Sequence, residues 1–480
     1  MIHTKKSKPV RMKIQFCLPL RPMAILSASA NHIQAVRSEA RIKERFFSQK
    51  ILIRDDVGRM TCFIDHLAQL IRYKGSTVEK HVHCTFLPPA QGNKIMSTAT
   101  TTLTEALDAN FSRLSLSASP VPSTRLPLPS WKAPPPTQEE VEWADILTVD
   151  LSLYETNKPK LIETVQTALQ RDGFFYVIGH GIDVEELNRQ FDIGQVAFDQ
   201  VPREEKEEHR AQIKEKGSFM GYKLQNYWEI KDGVRDRIEH YNFYNNSIDP
   251  VTRHPTALRP FVPEVKEFLN TMRQTVLHRV LNLIDGVLGL DEGYLWELHQ
   301  NSEGEMGDDL FRYMIYDPLT GEESQKTNGV MLNGHTDFNS ISTLISQPIT
   351  ALQVLMPDNV WRYVKHKDGA FVINIGDQLS FMTGGVLKGT MHRVVSPPED
   401  QRALRRLGVF HFAHFRNNIP LNLLPSKKVH EEGHIIFEGE IPTTNEWEER
   451  RVKSYGTSEF IKGEVYDIEV IAGLQVRHYH

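Results

Sequence analysis

After Asp309 the chain becomes a succession of short β-branched and aromatic runs separated by Gly, Pro and Asp turns. The runs are Phe311–Tyr316, Ser340–Ser346, Trp361–Val364, Phe371–Ile375, His392–Val395 and Leu407–His411. Evenly spaced short strands of this kind close into a barrel or a jelly roll. Helical signals come earlier. Leu161, Val165 and Leu169 recur at helical spacing up to Asp172-Gly173, between a short strand at Ile146–Leu151 and a second at Phe174–Ile178. The longest stripe lies between Pro263 and Leu290, with Phe268, Met272, Val276, Val280, Leu283 and Val287 on one face. The expected fold is therefore mainly β with flanking helices, and no internal repeat is visible.

Charge divides the chain before any motif does. Residues 1–95 hold 17 Lys+Arg against 6 Asp+Glu, and the other 385 residues hold 39 against 55. All three cysteines (Cys17, Cys62 and Cys84) lie in the basic part. This segment is expected not to share a core with the rest of the chain. It reads either as a targeting segment, with Lys5, Lys6, Lys8, Arg11 and Lys13 ahead of a short apolar stretch, or as an over-extended start with Met96 as the natural one. Residues 96–140 are rich in Ser, Thr and Pro and end in Ala133-Pro134-Pro135-Pro136, which predicts a disordered linker. The remainder divides into a helical part with substrate-mouth segments at 141–310, a jelly-roll core at 311–425 and an extension at 426–480.

The balance also excludes function classes. A net charge of -5 is no footprint for nucleic acid, whose binding rests on phosphate neutralisation. The sequence has no apolar run of about 18 residues, so no membrane span is expected. Three scattered cysteines make neither a disulfide scaffold nor a thiolate metal cage.

Three stretches carry chemistry. In Asn333-Gly334-His335-Thr336-Asp337, residues i and i+2 of a strand face the same side, so His335 and Asp337 can share one metal. A distant histidine, His392 in Met391-His392-Arg393-Val394-Val395, would complete the two-His-one-carboxylate set of non-haem Fe(II) oxygenases. His366-Lys367-Asp368 and His430-Glu431-Glu432 have similar spacing but sit among charges, as chance matches would. In the third stretch, period-2 counting puts Arg406, Gly408, Phe410 and Phe412 on one face of a strand. An arginine turned into an apolar barrel needs a partner, and a carboxylate fits its fork. Arg406 beside such a metal thus predicts a dicarboxylate co-substrate.

Four motifs in order are His335-Thr336-Asp337, Asn374-Ile375-Gly376-Asp377, His392-Arg393-Val394-Val395 and Arg406-x-Gly408. With Asp172-Gly173-Phe174-Phe175, His180-Gly181-Ile182 and Gly221-Tyr222-Lys223 upstream, the chain resembles the 2-oxoglutarate/Fe(II)-dependent oxygenases of the isopenicillin N synthase-like group over roughly residues 140–420. The run His392-Arg393-Val394-Val395-Ser396-Pro397-Pro398 is most similar to the fungal branch. The resemblance implies a double-stranded β-helix core and Fe(II) held by His335, Asp337 and His392. It implies 2-oxoglutarate gripped by Arg406 with help from the Tyr316 hydroxyl, with Arg402, ten residues after His392, the second choice by the family's spacing, and O2 as oxidant, with ascorbate as an accessory reductant. The reaction would be hydroxylation, desaturation or ring closure of a small organic molecule, with release of succinate and CO2. Secondary metabolism is the setting the group suggests.

One departure stands out: the family reads Arg-x-Ser, and Gly408 replaces the serine, removing a hydrogen bond to the co-substrate carboxylate worth about 1 kcal/mol. An oxidase of the same fold that dispenses with 2-oxoglutarate, or a non-catalytic ligand-binding relative, would be the alternatives. Asn374 and Asp377 read as supports rather than ligands. Phe412 and Tyr222 are candidate substrate contacts, and His411 is expected to point away from the barrel interior. Fe(II) chemistry and a cysteine-free core fit a reducing compartment, the cytosol, with organelle targeting by the basic segment as the other choice. The oligomeric state is not legible.

Overall fold

In the computed structural model, Met1–Thr124 and Arg125–His480 form two separate units. The structure describes residues 125–244, 248, 252–301, 309–434, 440–454 and, as backbone, 466–471 and 474–479. In the first unit it describes only the backbone of five short strands, from Arg11–Gln15 to Thr85–Phe86, joined in one sheet. The expectations about a targeting segment and about Met96 lie outside the described residues.

In the second unit the strands are β1 Thr148–Asp150, β2 Phe174–Ile178, β3 Gly221–Lys223, β4 Glu229–Lys231, β5 Val234–Arg235, β6 Ile238–Tyr244 and β7 Leu310–Tyr316. They continue as β8 Val330–His335, β9 Ile341–Ile345, β10 Leu352–Leu355, β11 Trp361–Tyr363, β12 Phe371–Ile375, β13 His392–Val395 and β14 Arg406–Ala413. One sheet has eight strands in the order β1-β2-β12-β9-β14-β7-β6-β3; the other has four, β8-β13-β10-β11. They form the two walls of a jelly roll.

The eight-stranded sheet is buried on both faces, which explains why its strands read as continuous apolar runs rather than alternating ones. Phe175, Val177, Tyr313, Ile315, Leu407 and Val409 face the helices. Their neighbours Phe174, Tyr176, Met314 and Tyr316 face the small sheet and meet Leu332, Leu352, Val354 and Val394 there. The helical layer includes Lys158–Arg171, which buries Leu161, Val165 and Leu169 as expected, and Val184–Asp199. Gly173, at φ +68°, ends the first of these helices where a side chain would collide with Thr390. The long stripe forms Val262–Met272 and His278–Leu288, joined by a π-helical turn at Arg273–Leu277 and closed by Gly289 at φ +67°.

Three expectations need correction. Residues 141–310, expected to be helical apart from the two strands near 146–151 and 174–178, also contribute β3 and β6, which widen the large sheet. β6 was unreadable as a strand edge because all seven of its residues are buried, polar ones included. Residues 125–140, read as disordered, lie along the surface without helix or strand. Trp131 stacks on Phe191 with ring centroids 4.2 Å apart, Arg189 donates to the Leu126 carbonyl and Gln401 to the Pro135 carbonyl. Proline-rich backbone leaves its carbonyls unbonded, and side chains of the domain take them up. Finally, the segment after 425 contributes the helix Thr444–Ser454, whose Trp447 and Arg451 are fully buried. Among the described residues no helix is long and apolar enough to cross a membrane.

Candidate metal centre and substrate cavity

β8 and β13 pair so that His335, the last residue of one, lies directly opposite His392, the first of the other. Their rings are 4.4 Å apart. Asp337 is not on the strand, as period-2 counting assumed: β8 ends at His335, and Asp337 sits two residues into the next turn. It reaches the same point nonetheless. Its Oδ1 is 3.8 Å from His335 Nε2 and 3.7 Å from His392 Nε2. Ligand atoms of all three residues lie within 4.8 Å of one another, and among the described residues this is the cluster of three that could hold a metal ion.

The surroundings aim each ligand atom. His335 Nδ1 faces the Asn333 carbonyl at 2.8 Å, and His392 Nδ1 faces the Thr390 carbonyl at 3.1 Å. A ring nitrogen facing a carbonyl carries the proton, which leaves the Nε2 lone pair for a metal. Asp337 Oδ2 accepts from Ser342 Oγ at 2.6 Å and Asn374 Nδ2 at 2.9 Å, leaving Oδ1 toward the histidines. The Asp377 N–H donates to the Asp337 carbonyl, and Gly376 allows the close approach of Asn339 O, which a Cβ there would meet at 2.1 Å. The Asn374-Ile375-Gly376-Asp377 motif is thus a brace for the carboxylate. Burial and the neighbouring His392 push the His335 imidazole down to about 3, so it is neutral and able to ligate at physiological pH. Burial would raise the Asp337 carboxyl, but His392, His335 and the Asn374 and Ser342 hydrogen bonds hold it below its ordinary value, hence ionised.

A cavity runs from this cluster between the sheets. One part is lined by Arg406, Tyr316, Phe410, Leu344, Leu352 and Val394 together with the three clustered residues. Arg406 is 4% exposed, and its Nε and Nη1 have no hydrogen-bond partner. Its guanidinium lies 5.4 Å from the ring of Tyr316, its directly paired neighbour across the sheet. Burial pushes the Tyr316 phenol up to about 12, so it stays a hydroxyl donor. A buried, unpartnered guanidinium is costly unless an anion meets it, and a carboxylate would supply both charge and geometry.

The Gly408 departure has a steric cause here. A Cβ at 408 would sit 2.5 Å from Phe410 Cε2, so the Phe410 ring occupies the space a serine would need. Arg402, the second choice for the carboxylate, is 54% exposed and pairs with Glu399 at 2.5 Å. The chance matches stay apart from the cluster: His366 bonds to Asp368 in a turn, and His430 lies exposed on the short helix Lys427–Glu432.

Phe412 lines the cavity, stacked parallel on Phe410 at 5.8 Å. Tyr222 does not. It is 0% exposed in the core between sheet and helices, its hydroxyl donating to the Ala197 carbonyl, because β3 turns that face toward the helical layer. His411 faces away from the cavity, buried 3.4 Å from Asp309. The other end of the cavity is walled by Phe219, Trp228, Arg312, Phe338, His414 and Glu448 around His335 and Asp337. None of these six was singled out in the sequence. Arg312 was legible, two strand steps from Tyr316 and so on its face; Glu448 was not, since it arrives on a helix far downstream.

The fold, the cluster and the unpartnered arginine define a non-haem iron oxygenase with a dicarboxylate co-substrate. Comparison with known proteins agrees. Residues 309–414 match the 2OG-Fe(II) oxygenase superfamily, and residues 146–264 match the "non-haem dioxygenase in morphine synthesis N-terminal" family. Protein DOWNY MILDEW RESISTANCE 6 of Arabidopsis thaliana is 28% identical over 272 residues, covering 56% of this chain and 74% of that one. The 2-oxoglutarate-dependent dioxygenase frbH of Dothideomycetidae sp. is 30% identical, covering 43% and 65%. A full-length Neurospora crassa protein solved in complex with alpha-KG shares the fold at a TM-score of 0.55 and 20% identity, covering 66% of this chain and 99% of that one. The chain is a dioxygenase-type oxidoreductase with Fe(II) and 2-oxoglutarate as its cofactor and co-substrate, and its residues 309–414 are similar to the 2OG-Fe(II) oxygenase superfamily.

Proposed function

We propose that this oxygenase hydroxylates, desaturates or cyclises a small organic molecule, releasing succinate and CO2, with His335, Asp337 and His392 as the Fe(II) ligands and Arg406 and Tyr316 as the hold on 2-oxoglutarate. The observation that carries this reading is Arg406, buried without a partner in the same cavity as the three ligand residues. When bound, Fe(II) with 2-oxoglutarate and dioxygen supplies the oxidising power to break a C–H bond. The chain's own part is to bind, orient and keep water out. Three protein ligands leave open positions for a chelating 2-oxo acid and O2. Asn333 and Thr390 carbonyls fix the imidazole orientation, and Asn374 and Ser342 hold Oδ2 of Asp337 so that Oδ1 remains for the metal. Arg406 and the protonated Tyr316 hydroxyl receive the distal carboxylate. The apolar side chains between the sheets exclude water from that end.

An oxidase that uses no 2-oxoglutarate is the second reading, favoured by Gly408 in place of serine. It leaves the buried Arg406 charge without an anion, which weighs against it. The run from His392 to Pro398 supports a place in the fungal branch of the isopenicillin N synthase-like group. A small-molecule role in secondary metabolism, in the cytosol and without nucleic acid, fits the acidic charge and cysteine-free core. The test is substrate-uncoupled turnover. Purified protein with Fe(II), ascorbate and O2 should form succinate from 2-oxoglutarate, and Arg406→Gln should lose this while keeping Fe(II); succinate formation unchanged in that variant contradicts the assignment.

A further inference from the structure

The cavity contains a second cation, and we propose that Arg312 anchors an acidic substrate, a flat apolar carboxylic acid. This rests on the proposed reading of the metal centre and goes on to the class of molecule it oxidises. Along β7, Tyr316, Met314, Arg312 and Leu310 alternate onto the cavity face, while Tyr313, Ile315 and Phe311 pack under the helices. At a rise of about 3.3 Å per residue, Arg312 stands about 13 Å along the strand from Tyr316. Tyr316 pairs with Arg406 and Arg312 with Phe410 on the neighbouring strand. A cation that far from Arg406 is not a second hold on the same carboxylate; it serves a different group.

Arg312 is held in place from three sides. Its Nε donates to Asn242 Oδ1 at 2.5 Å, and its Cζ lies 5.1 Å from the Phe219 ring and 4.9 Å from the Phe412 ring. Asn242 is fixed in turn, its Nδ2 donating to the carbonyls of Phe219 and Gly221. A guanidinium oriented in advance loses little freedom when an anion arrives, and two flanking rings leave its fork direction set. The walls beyond it are Trp228, Phe338, Met314 and Leu332, which suit an apolar body with a planar face. Of the carboxylates on this cavity, Asp337 Oδ1 faces the two histidines, and Glu448 Oε2 lies 3.2 Å from His414 Nδ1. Arg312 is the charge that matches an incoming acid. Anchored there, the acid's carbon skeleton extends along the wall toward His335 and Asp337.

The test uses the full chain under anaerobic conditions with Fe(II) and 2-oxoglutarate, titrated with matched pairs: cinnamate against cinnamamide, and naphthoate against naphthamide. The readout is perturbation of the visible band of the Fe(II)–2-oxoglutarate complex, which needs no turnover. In wild type each acid should act at a concentration about tenfold lower than its amide, the scale of one charge-assisted pairing. Arg312→Gln should erase the difference and Arg312→Lys should keep part of it, with the unliganded band unchanged in both. Acids and amides acting equally in wild type, no acid acting at millimolar concentration, or a difference that survives in Arg312→Gln each overturn the proposal. If Arg312→Gln does not fold, the acid-against-amide comparison in wild type and Arg312→Lys decides alone. A wild type that forms no band contradicts the reading of the metal centre itself, a separate failure.

Discussion

Two arginines line the same cavity from neighbouring strands, and their surroundings differ. Arg406 is buried with Nε and Nη1 unpartnered beside Tyr316; Arg312 is clamped between Phe219 and Phe412 and braced by Asn242. The first environment demands an anion, because no described residue neutralises the charge. The second orients a charge that the protein already supports. On the proposed reading, the contrast separates the end of the cavity that every cycle must fill with the same molecule from the end that sets which molecule is oxidised.

The predictions probe that contrast from its strongest point downward. His392→Ala removes a ligand and should abolish stable Fe(II) binding, while Asn374→Ala, which only releases Asp337 Oδ2, should weaken Fe(II) by about 10–100-fold. Metal titration by calorimetry measures both; equal effects would mean the brace and the ligand are not distinct. Arg406→Gln should raise the Kd for 2-oxoglutarate by about 10–150-fold, the loss of a charged hydrogen-bond pair, and leave Fe(II) affinity intact.

Gly408→Ser tests whether the Phe410 ring has taken the serine's place. Alone it should weaken 2-oxoglutarate by several-fold through the 2.5 Å contact; with Phe410→Leu added, the serine should instead strengthen binding, by about 1 kcal/mol. A gain from Gly408→Ser in the wild-type background would mean that the ring gives way freely. The smallest effect belongs to Tyr222→Phe. Losing its hydrogen bond to the Ala197 carbonyl should cost about 1 kcal/mol in urea unfolding and leave the apparent affinity for any substrate unchanged.

The proposed co-substrate end was legible because its residues come from compact motifs. His335 and Asp337 are two apart, Arg406 and Phe410 share a strand face, and the Asn374-to-Asp377 brace is one contiguous run. Even so, the strand argument for Asp337 reached the right cluster by the wrong geometry, since β8 stops at His335 and a turn carries the carboxylate back. Apart from Arg312, the proposed substrate end was not legible. Phe219, Trp228, Arg312, Phe338, His414 and Glu448 span more than half of the described domain in sequence, and only the pairing of β6, β7 and β14 with the helix Thr444–Ser454 brings them together. Tyr222 shows the converse error. An aromatic in a motif-like Gly221-Tyr222-Lys223 looked like a mouth residue, but a strand buried on both faces leaves sequence no way to tell which face is the cavity.

The central claim is that one cavity holds Fe(II) on His335, Asp337 and His392 and 2-oxoglutarate on Arg406. An anaerobic visible spectrum tests it most directly, taken with Fe(II) alone and again with 2-oxoglutarate, in wild type, His335→Ala and Arg406→Gln. A weak charge-transfer band should appear only when both are present, vanish in His335→Ala, and require much more 2-oxoglutarate in Arg406→Gln. A wild type that binds Fe(II) yet develops no band with 2-oxoglutarate, or a band that forms equally well in Arg406→Gln, would contradict it.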